Sequence, residues 1–255
     1  MLSKNKIKFI NSIKKKKYRN QHQCFFVEGE KLVDELLNSD FKVIDLFATK
    51  EWIDENYGSL NNICAIEISD DELAKISSLS TPNKVFAIVE QKSISYNIDD
   101  VSENLSILLD NINDPGNLGT IIRIADWFGI KNIFCTNESV DVFNPKVVQS
   151  TMGAIFRTKV HYVDFAELLN EAKTFDDFNI YGTFLEGKNI YSEQLSQKGF
   201  IMMGSESHGI SNKWKSFVSK KLFIPNYPID TKTSESLNIS TATAIVCSEF
   251  RRNVI

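Results

Sequence analysis

Four short apolar runs, each followed by a segment with helical periodicity, dominate the second half of the chain. They lie at 106–109, 133–135, 180–184 and 200–203, and a fifth run lies at 222–224. Strands that are apolar along their whole length are buried on both faces, as in parallel sheets whose connections are helices. The sequence therefore predicts an α/β domain built on a mostly parallel sheet.

A smaller pattern of alternating strands and helices precedes this domain. Apolar runs at 24–27, 43–48, 63–68 and 85–89 are separated by helical segments, one of which starts with the capping sequence Ser69-Asp70-Asp71-Glu72. A length of 255 residues accommodates two such domains. We predict a small N-terminal α/β domain over residues 1–92, a polar linker over 93–104 and the larger domain over 105–255.

Charge is distributed unevenly along the chain. The 29 Lys and Arg against 33 Asp and Glu give a net charge of −4, which alone argues against a nucleic-acid partner. Residues 1–20, however, contain eight basic residues and no acid, so the remainder has a net charge of −12. A basic segment on an acidic protein suits the phosphates of RNA or DNA, and a solvated helix face explains it equally well. The candidate phosphate contacts are Lys14, Lys15, Lys16, Lys17 and Arg19.

The cysteines and histidines give no sign of a disulfide framework or a metal site. Cys24, Cys64, Cys135 and Cys247 lie far apart, and His22 with Cys24 lacks partners at zinc spacing. The chain also has no apolar run of 18 residues and no signal-peptide pattern. We therefore expect a cytoplasmic protein with reduced thiols and no bound metal.

The first candidate site segment is 110–119, which follows a predicted strand and precedes a helix predicted over 120–128. Ligands of α/β folds bind at such junctions. Gly116 and Gly119 match neither a Walker loop nor a dinucleotide fingerprint. In the helix, Arg123 lies between Ile122 and Ile124, where a permanent cation needs an anionic partner. That partner is either a ligand or the acid of a structural salt bridge.

Two further polar segments follow later strands. The segment 204–209 superficially suggests a hydrolase nucleophile at Ser207, but the G-x-S-x-G pattern fails and no histidine follows His208. The segment 224–240 precedes a last helix predicted over 241–250. Ser234 or Ser236 is expected to cap that helix or to face a ligand at its N-terminus.

Together the three segments resemble the three ordered motifs of the SpoU, or TrmH, family of RNA ribose 2′-O-methyltransferases, which have the SPOUT fold. The matching residues are Asn113-Asp114-Pro115-x-Asn117-x-Gly119-x-Ile121-x-Arg123-x-Ala125, Gly204-x-Glu206-x-x-Gly209, and Ile224-Pro225 with Ser236-Leu237-Asn238-Ile239-Ser240. Residues 150–157 also fit the family, and residues 17–33 resemble the substrate-binding domain that precedes many of its members. Residues 226–235 depart from the family's glycine-containing loop.

The resemblance implies a fold and an activity that the residue patterns alone do not. It implies a C-terminal trefoil knot that binds S-adenosylmethionine, with Thr183, Gly204, Ile224 and Leu237 at the cofactor. It also implies methylation of a ribose 2′-hydroxyl by a homodimer whose active sites are completed across the interface. The N-terminal domain is more typical of members that act on ribosomal RNA than of the minimal transfer-RNA enzymes.

The resemblance also implies catalytic roles. A guanidinium is a poor base because it stays protonated at neutral pH, so we expect Arg123 to anchor a phosphate and to stabilise the 2′-alkoxide. Asn117 and Glu206 are expected to orient Arg123, and Ser236 and Asn238 to contact the substrate or to shape the cofactor site. A transfer-RNA substrate, methylation of a base nitrogen, and a non-catalytic RNA-binding or ribosome-assembly factor of the same fold remain alternatives.

Overall fold

A computed structural model describes residues 1–60, 63–228 and 234–252. These residues form two compact units, of which the first comprises Met1–Ser93 with Asp141–Arg157 and the second comprises Ile94–Val140 with the residues from Thr158 onward. The sequence placed 105–255 in one domain, whereas the structure groups the segment 141–157 with the N-terminal unit. Nothing in the hydrophobic pattern of this segment distinguishes it from the residues on either side.

Strands and helices alternate along most of the chain. The strands are β1 (Cys24–Glu28), β2 (Val43–Ala48), β3 (Ala65–Glu67), β4 (Val85–Glu90), β5 (Leu105–Asp110), β6 (Asn132–Cys135), β7 (Lys159–Tyr162), β8 (Ile180–Asn189), β9 (Gly199–Gly204) and β10 (Lys220–Phe223). The α-helices are α1 (Lys4–Ser12), α2 (Lys16–His22), α3 (Glu30–Leu37), α4 (Lys50–Asn56), α5 (Asp70–Ile76), α6 (Ile98–Ser102), α7 (Pro115–Trp127), α8 (Pro145–Thr151), α9 (Phe165–Ala172), α10 (Asn212–Lys215) and α11 (Ile239–Arg251).

The first unit contains a mixed four-stranded sheet in the order β1-β4-β2-β3, in which only β2 and β3 are parallel. Ile10 and Ile13 belong to the apolar core that also includes Phe26, Phe47 and Phe86. α5 starts with the predicted capping box, since the Ser69 side chain accepts from the Glu72 amide and Glu72 accepts from the Ser69 amide. The predicted alternation of short strands and helices is thus confirmed for this unit.

The second unit contains a six-stranded sheet in the order β10-β8-β9-β5-β6-β7, and every neighbouring pair in it is parallel. The five predicted strands and their parallel arrangement are confirmed. Strand β7 was missed because its four residues, Lys-Val-His-Tyr, contain no continuous apolar run and are too few for their alternation to identify a strand. Leu108, Phe134, Phe200 and Met202 are fully buried in the core of this unit.

Three boundaries differ from the predictions, two of them at the candidate site. Helix α7 starts at Pro115 rather than at 120, because the Asp114 side chain caps it by accepting from the Asn117 amide at 2.8 Å. Helix α11 is capped by Asn238, whose Oδ1 accepts from the Ser240 amide at 2.9 Å, so the expected serine cap is wrong. The segment predicted as a linker contains α6, whose Val101 is buried.

Two properties concern the whole of the described chain. None of its helices combines the length and the apolar character needed to span a lipid bilayer. The cysteines are free thiols, with Cys24, Cys135 and Cys247 buried and Cys64 exposed.

Candidate active site

The three motif segments meet at the carboxyl ends of two adjacent strands of the second unit. β5 and β9 are parallel neighbours, and their last residues, Asp110 and Gly204, are opposite each other in the register. The chain leaves β5 toward α7 and leaves β9 into the second motif. The third motif forms the N-terminus of α11, which packs against α7. Neighbouring strand ends in a parallel sheet are where α/β proteins place their ligand sites.

A hydrogen-bonded trio joins one residue from each motif. The Asn117 Nδ2 donates to Glu206 Oε1 at 3.0 Å, and the Asn238 Nδ2 donates to the same oxygen at 2.6 Å. Asn238 Nδ2 also lies 3.0 Å from Asn117 Oδ1. The Ile239 amide at the first turn of α11 adds a longer bond of 3.4 Å to Glu206. The Glu206 carboxylate therefore holds the N-terminal ends of α7 and α11 together.

Arg123 does not take part in this trio. Its side chain is exposed, and it makes no hydrogen bond or ion pair with any residue that the structure describes. Direct orientation of Arg123 by Asn117 and Glu206 was expected, and the observed bonds do not provide it within one chain. The structural salt bridge that the sequence left open is not formed with a described residue either. A permanent cation on the surface of α7 is thus available to an anion from outside the chain.

Gly204 is required by a close approach of the chain to itself. The loop after it folds back, so that the Gly209 amide donates to the Ser205 carbonyl at 2.8 Å. A Cβ built on Gly204 would overlap the backbone of Gly209 and Ile210. Any larger residue at position 204 would force this loop away from the end of β9. The need for glycine here comes from the protein backbone, and it is independent of the predicted position of Gly204 at the cofactor.

Asp110 is a residue of this site that the sequence did not single out. It is 2% exposed, and each of its oxygens accepts one bond. The Ser211 amide donates at 2.7 Å and the Trp214 indole Nε1 donates at 3.2 Å. These bonds fix the segment after the second motif against the end of β5. A buried carboxylate needs nearby hydrogen-bond donors of this kind. In the sequence, the feature that could have identified Asp110 is an aspartate at the end of a mostly apolar strand.

A cavity of about 1070 Å³ opens beside the trio. All four residues predicted at the cofactor, Thr183, Gly204, Ile224 and Leu237, line it. Glu206 and Ser236 line it as well, whereas Asn117, Asn238 and Arg123 are not among its described lining residues. The Thr183 hydroxyl is already engaged, since it lies 3.3 Å from the Met202 carbonyl. The structure therefore brings the predicted cofactor residues together around one space.

The walls of the cavity combine apolar surface with charge. Phe184, Met203, Phe223 and Val246 provide flat or branched apolar faces, as an adenine ring requires. Three acids, Glu186, Glu206 and Glu235, and two lysines, Lys215 and Lys221, line the same space. The lining therefore offers apolar surface for an aromatic base together with charged groups of both signs.

In the first unit, the predicted phosphate contacts differ in their exposure to solvent. Lys15, Lys16 and Lys17 are exposed. Lys14 is partly buried and donates to the Ser77 carbonyl at 2.8 Å, and burial lowers its pKa more than the nearby Glu28 raises it. The solvent-facing charge of this segment therefore comes mainly from the three exposed lysines.

Arg19 is not an RNA contact, and that prediction is wrong. Its side chain is 2% exposed and forms an ion pair with Asp141, with Nε 3.2 Å from Oδ2. It also donates to the carbonyls of Ile13 and Lys14 at 3.1 and 2.8 Å. A buried guanidinium needs all of these acceptors, and the sequence could not show that they exist. Arg19 is a structural residue of the first unit.

The fold and the site indicate the class of protein, a two-unit α/β protein with a ligand site at the ends of its parallel strands. The second unit is a parallel α/β domain with an asparagine–glutamate–asparagine trio and a large cavity at its strand ends, and the first unit is a smaller α/β domain with a mixed sheet. The sequence profile described as the SpoU rRNA Methylase family matches residues 104–248, and the MRM3-like substrate binding domain matches residues 4–87. The chain belongs to the SpoU rRNA Methylase family.

Individual relatives agree with this assignment over nearly the whole chain. A 23S rRNA guanosine 2′-O-methyltransferase of Bacillus subtilis (strain 168) is 27% identical over 96% of both chains. A TrmH-family structure from Porphyromonas gingivalis has a TM-score of 0.85, 35% identity and 99% coverage of both chains. An AdoMet-bound rRNA methyltransferase from Sinorhizobium meliloti has a TM-score of 0.86 and 25% identity, covering 100% of this chain and 97% of the other.

Proposed function

We propose that this protein is an S-adenosylmethionine-dependent methyltransferase that modifies a ribose 2′-hydroxyl of ribosomal RNA. The observation that carries the proposal is the hydrogen-bonded trio of Asn117, Glu206 and Asn238 beside the cavity lined by Thr183, Gly204, Ile224 and Leu237. The family membership and the activity named for the Bacillus subtilis relative support the substrate class.

S-adenosylmethionine supplies an electrophilic methyl group on a sulfonium ion. Ile224 and Leu237 would provide apolar surface for its adenine, and the turn after Gly204 would close over it. The carboxylate of Glu206 accepts hydrogen bonds from the side-chain amides of Asn117 and Asn238, so its negative charge is held close to the cavity. A cationic ligand would be stabilised by this carboxylate at close range.

Arg123 would act on the RNA rather than on the cofactor. It is absent from the cavity lining, and it has no partner among the described residues. Its guanidinium is suited to bind a phosphate oxygen on two N–H groups and to stabilise negative charge that develops on the attacking hydroxyl. Removing one such stabilising donor in other enzymes costs about a hundredfold to a thousandfold in rate.

The proposal includes a homodimer in which Arg123 completes the site of the other subunit. Arg123 and Trp127 are four residues apart on α7 and therefore share a face, and Trp127 is 85% exposed. A large aromatic beside an unpaired arginine is typical of the centre of a protein interface. Light scattering should give twice the chain mass, and a monomer with full activity would contradict this part. The C-terminal trefoil knot that the family resemblance implies is also part of the proposal; residues 229–233 lie outside the described residues.

A transfer assay tests the proposal directly. The protein is incubated with methyl-labelled S-adenosylmethionine and either protein-free ribosomal RNA or transfer RNA, and the labelled RNA is hydrolysed with alkali. We expect label in ribosomal RNA within alkali-resistant dinucleotides, because a 2′-O-methyl group blocks cleavage at that position. Label in mononucleotides would identify a base methyltransferase, label in transfer RNA alone would change the substrate, and calorimetry without cofactor binding would indicate a non-catalytic RNA-binding factor.

A further inference from the structure

The second unit carries a basic surface that the charge pattern of the whole chain conceals. From Gly209 to Pro228 the sequence contains four lysines, Lys213, Lys215, Lys220 and Lys221, and neither Asp nor Glu. The chain outside residues 1–20 has a net charge of −12, so this run with four lysines and no acid is opposite in charge to that average. We refer to these four lysines as the second lysine cluster.

None of the four forms an ion pair with a residue that the structure describes. Three of the ammonium groups lie over aromatic rings instead: Lys213 Nζ is 4.5 Å from the Trp214 ring centroid, Lys221 Nζ is 5.4 Å from that of Phe184, and Lys220 Nζ is 5.7 Å from that of Tyr181. An aromatic ring attracts a cation without neutralising it. Three of the four charges are thus held beside aromatic rings, and none of the four is compensated by a described acid.

The cluster is also tied to the candidate active site. Lys213 and Lys215 belong to α10, which the bonds from Ser211 and Trp214 to the buried Asp110 fix against the end of β5. Lys220 and Lys221 lie on β10, the edge strand of the same sheet. Lys215 and Lys221 line the cavity beside Glu206, whereas Lys213 and Lys220 are not among its described lining residues. Two of the lysines therefore line the cavity, and the other two lie on the same two elements, α10 and β10.

We propose that the second lysine cluster binds the sugar-phosphate backbone of the RNA next to the target nucleotide, in addition to the exposed lysines of the N-terminal segment. Uncompensated lysines at fixed positions are what phosphate contacts require, and such contacts fix the position of an RNA without reading its sequence. This inference rests on the proposed RNA methyltransferase function. It assigns to the second unit an RNA contact of its own.

The test uses the two lysines outside the cavity, so that cofactor binding serves as an internal standard. The variant K213Q/K220Q is compared with K131Q/K159Q, which removes two exposed lysines near β6 and on β7, at the opposite edge of the same sheet. The affinity of the full chain for a labelled 30-nucleotide single-stranded RNA is measured between about 0.05 and 0.3 M salt, and cofactor affinity is measured by calorimetry.

Two phosphate contacts contribute about 1.4 to the slope of log K against log salt for single-stranded RNA. We therefore expect K213Q/K220Q to lower this slope by about 1.4 and to weaken binding roughly tenfold at 0.1 M salt. The control variant should stay within about twofold of the wild type, and K213R/K220R, which keeps the charges, should restore binding.

An unchanged slope in K213Q/K220Q, with intact cofactor binding, would overturn the inference and leave Lys220 as protection of the edge strand β10 against aggregation. An equal loss in the control variant would overturn it as well, since any lysine would then serve. Failure of the proposed function has a different signature, because the wild-type protein would then neither methylate ribosomal RNA nor bind the cofactor.

Discussion

Asp110→Asn isolates the contact that fixes the segment after the second motif against the end of β5. Both oxygens of this carboxylate face N–H donors, the Ser211 amide at 2.7 Å and the Trp214 indole at 3.2 Å. An asparagine amide presents one oxygen and one NH₂ group, so one of the two donors meets another donor. The variant loses one charge-assisted bond of about 1.5–3 kcal/mol and leaves a buried N–H without an acceptor, so we expect a destabilisation of about 3–4 kcal/mol.

Urea unfolding followed by circular dichroism measures this loss, and a double-mutant cycle assigns it to the contact. Trp214→Phe removes the indole donor, so that the asparagine amide no longer opposes an N–H at that side. The double variant D110N/W214F should therefore be less destabilised than the sum of the two single variants, by about 1 kcal/mol or more. Additive effects, or a change below about 0.5 kcal/mol in Asp110→Asn, would refute the assignment of Asp110 as the buried link between β5 and the segment of α10.

Three further predictions concern single residues of the two units. Arg19→Ala leaves the Asp141 carboxylate without its buried partner and should destabilise the protein by about 3–5 kcal/mol in urea unfolding; a stable variant that has lost only RNA affinity would restore Arg19 as an RNA contact. His161 packs between Phe134 and Tyr96, and burial, followed by the charge of Lys159, lowers its pKa from 6.5 to about 4. The unfolded state therefore binds a proton at a higher pH than the folded state, so protonation of His161 favours unfolding. The free energy of unfolding should fall by up to about 3 kcal/mol as the pH decreases from 6.5 to 4, and His161→Phe should flatten this dependence. Asn238→Asp keeps the cap of α11 but places a second carboxylate against Glu206, so cofactor affinity should fall at least tenfold while the helix content in circular dichroism stays unchanged. Asn238→Ser also keeps a cap but adds no charge, so it should lose less cofactor affinity. Equal cofactor affinities in the wild type and both variants would contradict the role of the trio.

Sequence patterns were sufficient for the described strands except β7, and the motifs of the family resemblance supplied the residues of the trio. Short continuous apolar runs are typical of strands buried on both faces, and five of them form neighbouring strands of the six-stranded sheet. Asn117, Glu206 and Asn238 are polar residues at the junctions between strands and helices, and the fold brings these junctions to one edge. The three motifs, which are far apart in the sequence, therefore lie close together in the fold.

The remaining features depend on contacts that no local pattern encodes. Arg19 and Asp141 are 122 positions apart, and a count of charges cannot reveal that such a pair is buried. The trio does not reach Arg123, because the bonds of Asn117 are used by Glu206 and Asn238. The second lysine cluster is hidden in the net charge because the acids of the chain outnumber its bases. The proposed role of the cluster depends on its lysines having no ion-pair partner among the described residues, and only the structure can show this.

The start of α7 was open to prediction from local chemistry. Asp114 followed by Pro115 is a cap residue followed by a residue preferred in the first turn, and both signals are present in the sequence. The glycines of the first motif favoured a loop in our interpretation. In the structure Gly116 and Gly119 lie within the helix, so Asn117, the first member of the trio, is held by a helix rather than by a flexible turn.

The central claim is that cofactor binding and methyl transfer use separate groups, the cavity of the second unit and the guanidinium of Arg123. The most direct test measures both on Arg123→Ala, with cofactor affinity taken from calorimetry and transfer to ribosomal RNA taken from single-turnover rates. We predict a cofactor affinity within about twofold of the wild type and a transfer rate reduced by about a hundredfold or more. Loss of cofactor binding in Arg123→Ala, or transfer at the wild-type rate, would contradict the claim.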